Sequence, residues 1–265
     1  MPPARLALYG ATVGVLATAG CSIVRRPPSV GWSALLLLGY AGLLAAGLLR
    51  MRLRVFLDAI VRGPGGARGV ALTFDGGPDP RWTPRVLELL AEHGAKATFF
   101  VVGRKAEQHP DVTRAIASAG HSLGLQSYSG DRGLAWRGDA RVRRDLEQGV
   151  RTLEAILGRR PVLFRPPLGR SSPAIARAVE ALELEAVAWA LEGGDAHPRA
   201  RSGDVAVRVR RGLRDGVIVR LHDAPVAGDR EPAVVRALPV ILRALDAGRL
   251  PAVPLSAWFE SAGAR

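Results

Sequence analysis

Between Val70 and Leu255 the chain alternates short apolar runs with amphipathic segments, and that rhythm leaves few folds open to it. The runs Val70 to Phe74, Ala97 to Val102, Leu123 to Leu125, Val162 to Phe164, Ala186 to Ala190, Val217 to Leu221 and Ala252 to Leu255 read as strands buried on both faces. Helices are expected between them. From Asp139 to Leu157, the residues Val142, Leu146, Val150, Leu153 and Leu157 recur at spacings of three and four, with charged residues on the other face. A second helix is expected to begin at Thr83-Pro84, a cap residue followed by proline, and to stop before Gly94. Seven such alternations predict a parallel α/β architecture, either a (β/α) barrel or a doubly wound sheet. In both, functional side chains gather at the carboxyl ends of the strands. That rule selects Asp75, the Gln126 region, Arg165, Asp195 and the pair His222-Asp223.

Ahead of this region, Leu6 to Val24 and Val30 to Leu49 carry no charged side chain, and each approaches the roughly 20 apolar residues that cross a bilayer. Two membrane helices, 6–24 and 30–49, are expected within an anchor of residues 1–54. The polar turn Arg25, Arg26, Pro27 and Pro28 joins them, and Trp32 sits at the interface. Residues 55–69 read as a linker, because RGPGGARG (Arg62 to Gly69) is rich in glycine; 70–256 form the catalytic-type domain and 257–265 a tail. A competing reading makes the first run a secretory signal cut after Ala17-Thr18-Ala19, or a lipoprotein signal ending at Cys21. Neither removes the second run. With both runs spanning, Arg50, Arg52 and Arg54 outnumber the two arginines of the turn and lean the domain toward the cytoplasm, a count that cleavage would spoil.

The formal net charge of +13 invites a nucleic-acid partner, yet the arginines are scattered singly with few aromatics between them, and nucleic-acid binding is not expected. An anionic membrane face is the better partner for this charge. The lone Cys21 leaves no intrachain disulfide and no cysteine-built zinc site.

Five short motifs carry the chemistry. They are TFDGGP (Thr73 to Pro78), GLQSYSGD (Gly124 to Asp131), FRPPLG (Phe164 to Gly169), Asp195 beyond Trp189, and IVRLHD (Ile218 to Asp223). In this order the chain resembles the polysaccharide deacetylases of the NodB-homology group, carbohydrate esterase family 4. The resemblance implies a distorted (β/α) barrel of about seven parallel strands. It also implies hydrolysis of the acetamide of N-acetylglucosamine units in chitin-like polymers or peptidoglycan. Against the family's TFDDGP, Asp75 matches the catalytic base and Gly76 stands where the aspartate ligand of a divalent metal would be. Against GNHSYSHD, Gln126 and Gly130 replace both histidine ligands. Against FRPPYG, Arg165 matches the arginine that orients the base, and Leu168 takes the tyrosine position, whose backbone N–H polarises the substrate carbonyl. By the same resemblance Asp195 pairs with Arg165, although Ala196 replaces the following tryptophan; Leu221 lines the acetate pocket and His222 is the general acid.

Two glycines offer no ligand atoms and an amide is a weak ligand, so no metal cofactor is expected at these positions. A relocated site for zinc or another divalent cation would draw on Asp79, His121, Asp131 or His197. Without metal, Asp75 and His222 retain at most general acid-base catalysis, about a hundred to ten thousand fold. Structural readings stand beside these: Asp75 as a carboxylate that only closes a turn or pairs with Arg165, and Gly76-Gly77-Pro78 as a good turn. The leading expectation is a membrane-anchored, deacetylase-like protein without normal activity that keeps a groove for N-acetylated polysaccharide. The rivals are a slow or altered hydrolase and a membrane scaffold that touches no sugar.

Overall fold

The computed structural model describes residues 1–24, 29–197, 199–225, 228 and 230–260, so the turn Arg25 to Pro28 and the end of the tail lie outside the described residues. Two helices lead the chain, α1 (Pro3–Val24) and α2 (Val30–Leu49). The body then runs β1 (Ala71–Asp75), α3 (Trp82–Glu92), β2 (Thr98–Val102), α4 (Gly103–Gln108), α5 (Pro110–Ser118), β3 (Ser122–Ser127), α6 (Asp139–Leu157) and β4 (Leu163–Phe164). It continues through α7 (Pro173–Ala181), β5 (Glu185–Ala186), β6 (Leu191–Glu192), α8 (Ser202–Gly212), β7 (Ile218–His222), α9 (Ala233–Ala247) and α10 (Ser256–Glu260).

Among the described residues the seven strands form one parallel sheet in the order β5-β4-β3-β2-β1-β7-β6. The two edge strands are consecutive in the chain, so the sheet curls until its edges are bridged by the segment between them. There Val187 N–H donates to Phe164 O at 2.8 Å and Ala190 N–H to Ile218 O at 3.1 Å, while Ile60 fills the gap by pairing with Val187. The result is a distorted, incompletely closed (β/α) barrel. Helices cover its outer face, which is why its strands are apolar throughout: β1, β2 and β7 are buried at every position. Phe74 and Phe99 stack at 5.0 Å between ring centres in this core.

Three expectations change. The run 252–255 does not join the sheet; it makes one isolated bridge, Val70 to Ala252, because Pro251 and Pro254 have no N–H for a ladder. The run 186–190 keeps only Ala186 in a strand, the end of β5, which pairs with β4; β6 begins just after the run and pairs with β7. The stretch 55–69 is no slack linker: Val55, Leu57 and Ala59 are buried, and Gly63 N–H donates to Gly216 O at 2.9 Å. By contrast, α6 spans the residues its periodicity marks, closed by Gly158 in the left-handed conformation.

Among the described residues one helix, α2, is long and apolar enough to cross a membrane, with mean hydropathy 1.9. It leaves Val30, Trp32, Leu35, Leu37 and Leu38 exposed. The first run is helical too, and α1 packs along α2 with Thr12 Oγ1 at 3.4 Å from Tyr40 Oη, but it does not reach the same measure. The end of α2 is tied to the barrel. Ser171 donates from its N–H to Leu48 O and from Oγ to Gly47 O, both at 3.0 Å, satisfying carbonyls that a helix end leaves unpaired.

Ser171 follows the tight turn Pro167–Gly169, in which Leu168 has φ +58° and Gly169 φ +64°. A side chain at Gly169 would run into the indole of Trp189, so this glycine sets how closely the turn approaches the barrel mouth. Gly169→Ala should therefore destabilise the fold by about 1–3 kcal/mol in urea denaturation. Gly203→Ala, in α8 with open space around it, should be neutral or stabilising by up to about 1 kcal/mol.

Candidate functional site

The carboxyl ends of the strands open onto a cleft of about 200 Å³ that brings together Asp75, Gly76, Gln126, Gly130, Leu168 and His222. The parallel register of β1 on β7 sets Asp75 beside His222, and Thr73 beside Arg220. Leu221 does not reach this cleft. Side chains alternate along a strand, so Arg220 and His222 share the face toward the cleft while Leu221 points away into the core near Gly193.

Arg165 is completely buried at the end of β4, and its guanidinium is held on every side. Nε and Nη2 donate to the carbonyls of Val187 and Ala188, each at 3.0 Å, and Nη1 donates to Thr73 Oγ1 at 2.7 Å and Asp75 Oδ1 at 2.8 Å. Its cationic carbon also lies 4.1 Å from the ring centre of Phe100. Asp195 does not pair with Arg165. It accepts the His222 backbone N–H on Oδ2 at 2.7 Å and faces His222 Nδ1 with Oδ1 at 3.1 Å. The loop after β6 carries Asp195 to the β7 edge of the barrel, whereas Arg165 enters from the β4 side and meets Asp75 first.

A residue not singled out in the sequence completes the cluster. Arg220 Nε donates to Asp75 Oδ2 at 2.8 Å, Nη1 reaches Glu192 Oε1 at 3.2 Å, and Nη2 lies 3.2 Å from His222 Nε2. The Trp189 ring centre lies 4.3 Å from this guanidinium. Both oxygens of Asp75 are thus engaged by arginine. With His222 Nδ1–H donating to Asp195, its Nε2 is the acceptor that Arg220 fills. The signal was present in IVRLHD: an arginine two residues before His222, inside an otherwise apolar strand, has to share the face of that histidine.

Burial alone would push the Asp75 carboxyl up, but Arg165, then Arg220 and His222, outweigh it and hold the group below its ordinary value. Nearby Asp223 behaves oppositely. It is fully buried with Oδ1 unpartnered among the described residues, and desolvation raises it to about 6 despite the 2.6 Å hydrogen bond from Thr83 Oγ1 to Oδ2.

The residues present do not fit a catalytic metal. Among the described residues no three His, Cys, Asp or Glu side chains converge as a ligand set. Gly76 has φ +92° and open space where a side chain would project. The four candidates for a relocated ion are engaged elsewhere. Asp79 Oδ1 accepts the Arg81 and Trp82 N–H groups at the start of α3, and Asp131 binds Arg137 Nε at 2.9 Å and the Gly133 N–H at 2.8 Å. His121 accepts the Ala97 N–H on Nδ1 at 3.1 Å, and burial, with Lys96 nearby, lowers it to about 4. His197 is exposed and accepts the Arg199 N–H.

The cleft keeps one device suited to a carbonyl oxygen. Among the described residues the Leu168 N–H has no hydrogen-bond partner, and Leu168 and Gly169 both carry left-handed backbone in this turn.

Two consequences are measurable. Asp75→Asn leaves two buried guanidinium groups without their carboxylate and should cost about 3–5 kcal/mol of stability. The contribution of Asp75 is present above about pH 4 and is lost as pH falls through its lowered folded value. Asp223 has the reverse sign: its contribution is complete below about pH 4 and is lost as pH rises through about 6. Asp223→Asn should accordingly gain on the parent protein between pH 5 and pH 8, read as a difference in Tm that widens with pH.

The sequence and fold have close counterparts among known proteins. A family model described as polysaccharide deacetylase matches residues 62–187. A peptidoglycan-N-acetylglucosamine deacetylase of Bacillus cereus is 30% identical over 186 residues, covering 68% of this chain and 82% of that protein. A chitooligosaccharide deacetylase of Azorhizobium caulinodans is 34% identical over 155 residues, covering 58% of this chain and 73% of that protein. Among solved structures, a mutant of BA3943, a CE4 family pseudoenzyme with restored enzymatic activity, aligns with a TM-score of 0.63 at 25% identity, covering 74% of this chain and 70% of that one. The motif order, the curled parallel sheet and these relatives agree, and the chain belongs to the polysaccharide deacetylase family.

Proposed function

We propose that this chain is a membrane-anchored member of the polysaccharide deacetylase family that has lost normal N-deacetylase activity and keeps a cleft for N-acetylated sugar polymers. The observation that carries the reading is the position of Arg220, whose guanidinium occupies both Asp75 Oδ2 and His222 Nε2. Amide hydrolysis needs a base with a free lone pair for water and an acid whose proton can reach the leaving amine. Here the base is a doubly ion-paired carboxylate, and Nε2 of His222, the nitrogen that would have to carry a proton to the amine, is the acceptor that faces the Arg220 guanidinium. Asp75 and His222 retain the family's places for base and acid, Arg165 positions Asp75, and Asp195 positions His222. Gly76, Gln126 and Gly130 stand at the ligand positions without supplying ligands, so Arg220 holds by charge a carboxylate that the family sets beside a metal ion.

The glycan class follows from relatives named for peptidoglycan N-acetylglucosamine and chitooligosaccharide. The Leu168 N–H supports recognition of an acetamide carbonyl. Anchoring is supported by the exposed apolar surface of α2 and by α1 packed beside it, with the arginines after α2 favouring a cytoplasmic domain.

Purified full-length protein should release no acetate from N-acetylglucosamine oligomers while still binding them. Acetate release that Asp75→Asn abolishes, together with one bound zinc per chain, would contradict the proposal. A pseudoenzyme of this fold has been returned to activity by mutation. In this chain the triple variant Gly76→Asp with Gln126→His and Gly130→His should bind zinc tightly only when Arg220→Leu is added. We expect at least a tenfold difference in zinc affinity between the triple and quadruple variants by calorimetry.

A further inference from the structure

The cleft holds more positive charge than its ion pairs consume. Lys105 Nζ donates to Gly76 O at 2.6 Å, placing an ammonium group beside the position where the family has a carboxylate. Arg104 and Arg132 stand exposed at the rim, with side chains in no hydrogen bond or ion pair among the described residues. Against these three and Arg220, Asp75 is the one carboxylate among the described lining residues, and it is already shared by two arginines. The absent side chain of Gly76 leaves open space in front of them.

Across Leu168 lies a second depression of about 190 Å³, lined by Arg50 and Arg52 at the end of α2 together with Glu192 and Arg220. Cationic side chains therefore run from the exit of the apolar helix to the mouth of the barrel.

We propose that this cleft binds the phosphate of a phosphate-bearing N-acetylated amino sugar, with Lys105, Arg104, Arg132 and Arg220 around the anion. A phosphate offers three acceptor oxygens, which suits donors that come from separate elements: α4, the loop after β3 and strand β7. A neutral sugar polymer leaves that charge unanswered. The inference rests on the glycan-binding reading above and adds the anion to it. The position of Arg50 and Arg52 favours a sugar phosphate carried on a lipid and presented at the membrane surface over one free in solution.

The test uses the full chain in vesicles of neutral phospholipid and four probes: N-acetylglucosamine, N-acetylglucosamine 1-phosphate, inorganic phosphate, and N-acetylglucosamine phosphate linked to an isoprenyl chain in the same vesicles. The sugar phosphate should bind at least tenfold more tightly than the neutral sugar, a preference that weakens with added salt. Arg104→Gln with Arg132→Gln should reduce the preference at least fivefold. Both residues are exposed surface positions, and an unchanged Tm checks that the double variant is folded. Tighter binding of the isoprenyl-linked form supports the lipid source, and equal binding of the soluble form supports the same phosphate site with a soluble source. Equal affinity for neutral and phosphorylated sugar, or a preference that survives the double variant, overturns the inference while leaving the glycan reading intact. Inorganic phosphate binding as tightly as the sugar phosphate overturns the sugar component, and with it the glycan reading.

Discussion

The buried ion cluster of Arg165, Asp75 and Arg220 is the constraint on which the rest of the site depends. Two guanidinium groups and a carboxylate that are almost fully excluded from water are costly unless the charges are paired and the buried donors find acceptors. Arg165 meets that condition through two backbone carbonyls, Thr73 and the face of Phe100. Arg220 meets it through Glu192, His222 and the face of Trp189. Trp189 in turn limits the approach of Gly169, and that turn presents Leu168 to the cleft and leads into Ser171, which holds the end of α2. Charge pairing at the centre of the barrel and the attachment of the apolar helix are thus linked through one loop.

In the function proposed above, the same cluster lets the carboxyl-end face keep Asp75 and His222 without the family's chemistry. Asp75 and His222 are in place, but a fixed cation with no exchangeable coordination position stands between them. A guanidinium pairs with a carboxylate as strongly as geometry allows and stays protonated throughout the physiological range. Together with Arg165, the Arg220 guanidinium therefore favours the ionised form of Asp75. The opposite behaviour of Asp223, a few ångströms along the chain from His222, shows that burial without a partner moves a carboxylate the other way.

Much of this was legible in the residues. The alternation of apolar runs and amphipathic helices pointed to a parallel α/β fold, barrel or doubly wound sheet, with the barrel implied by the family resemblance, and α6 could be read to its ends from its five apolar residues. The motif positions Asp75, Leu168 and His222 line one cleft, with Arg165 buried behind Asp75. What was not legible depends on which strand edge a loop returns to. Asp195 lies closer in sequence to His222 than to Arg165, but it is the pairing of β6 with β7 that brings it against the histidine ring. Leu221 fell to the alternation of side chains along β7, and the same alternation carries Arg220 inward. The run 252–255 has strand composition but lies between prolines, and 55–69 looks like a linker because its glycines conceal the buried Val55, Leu57 and Ala59.

The central claim is that Asp75 is a locked ion-pair carboxylate and not a free base. It is tested most directly by following the carboxyl carbon of Asp75 by NMR as the pH is lowered in the folded protein. The account expects the Asp75 resonance to remain that of a carboxylate at pH values where exposed aspartates have titrated, and to move toward the ordinary aspartate range in Arg220→Leu. A titration of the unaltered protein at or above the ordinary aspartate value, or one unchanged by Arg220→Leu, would contradict it.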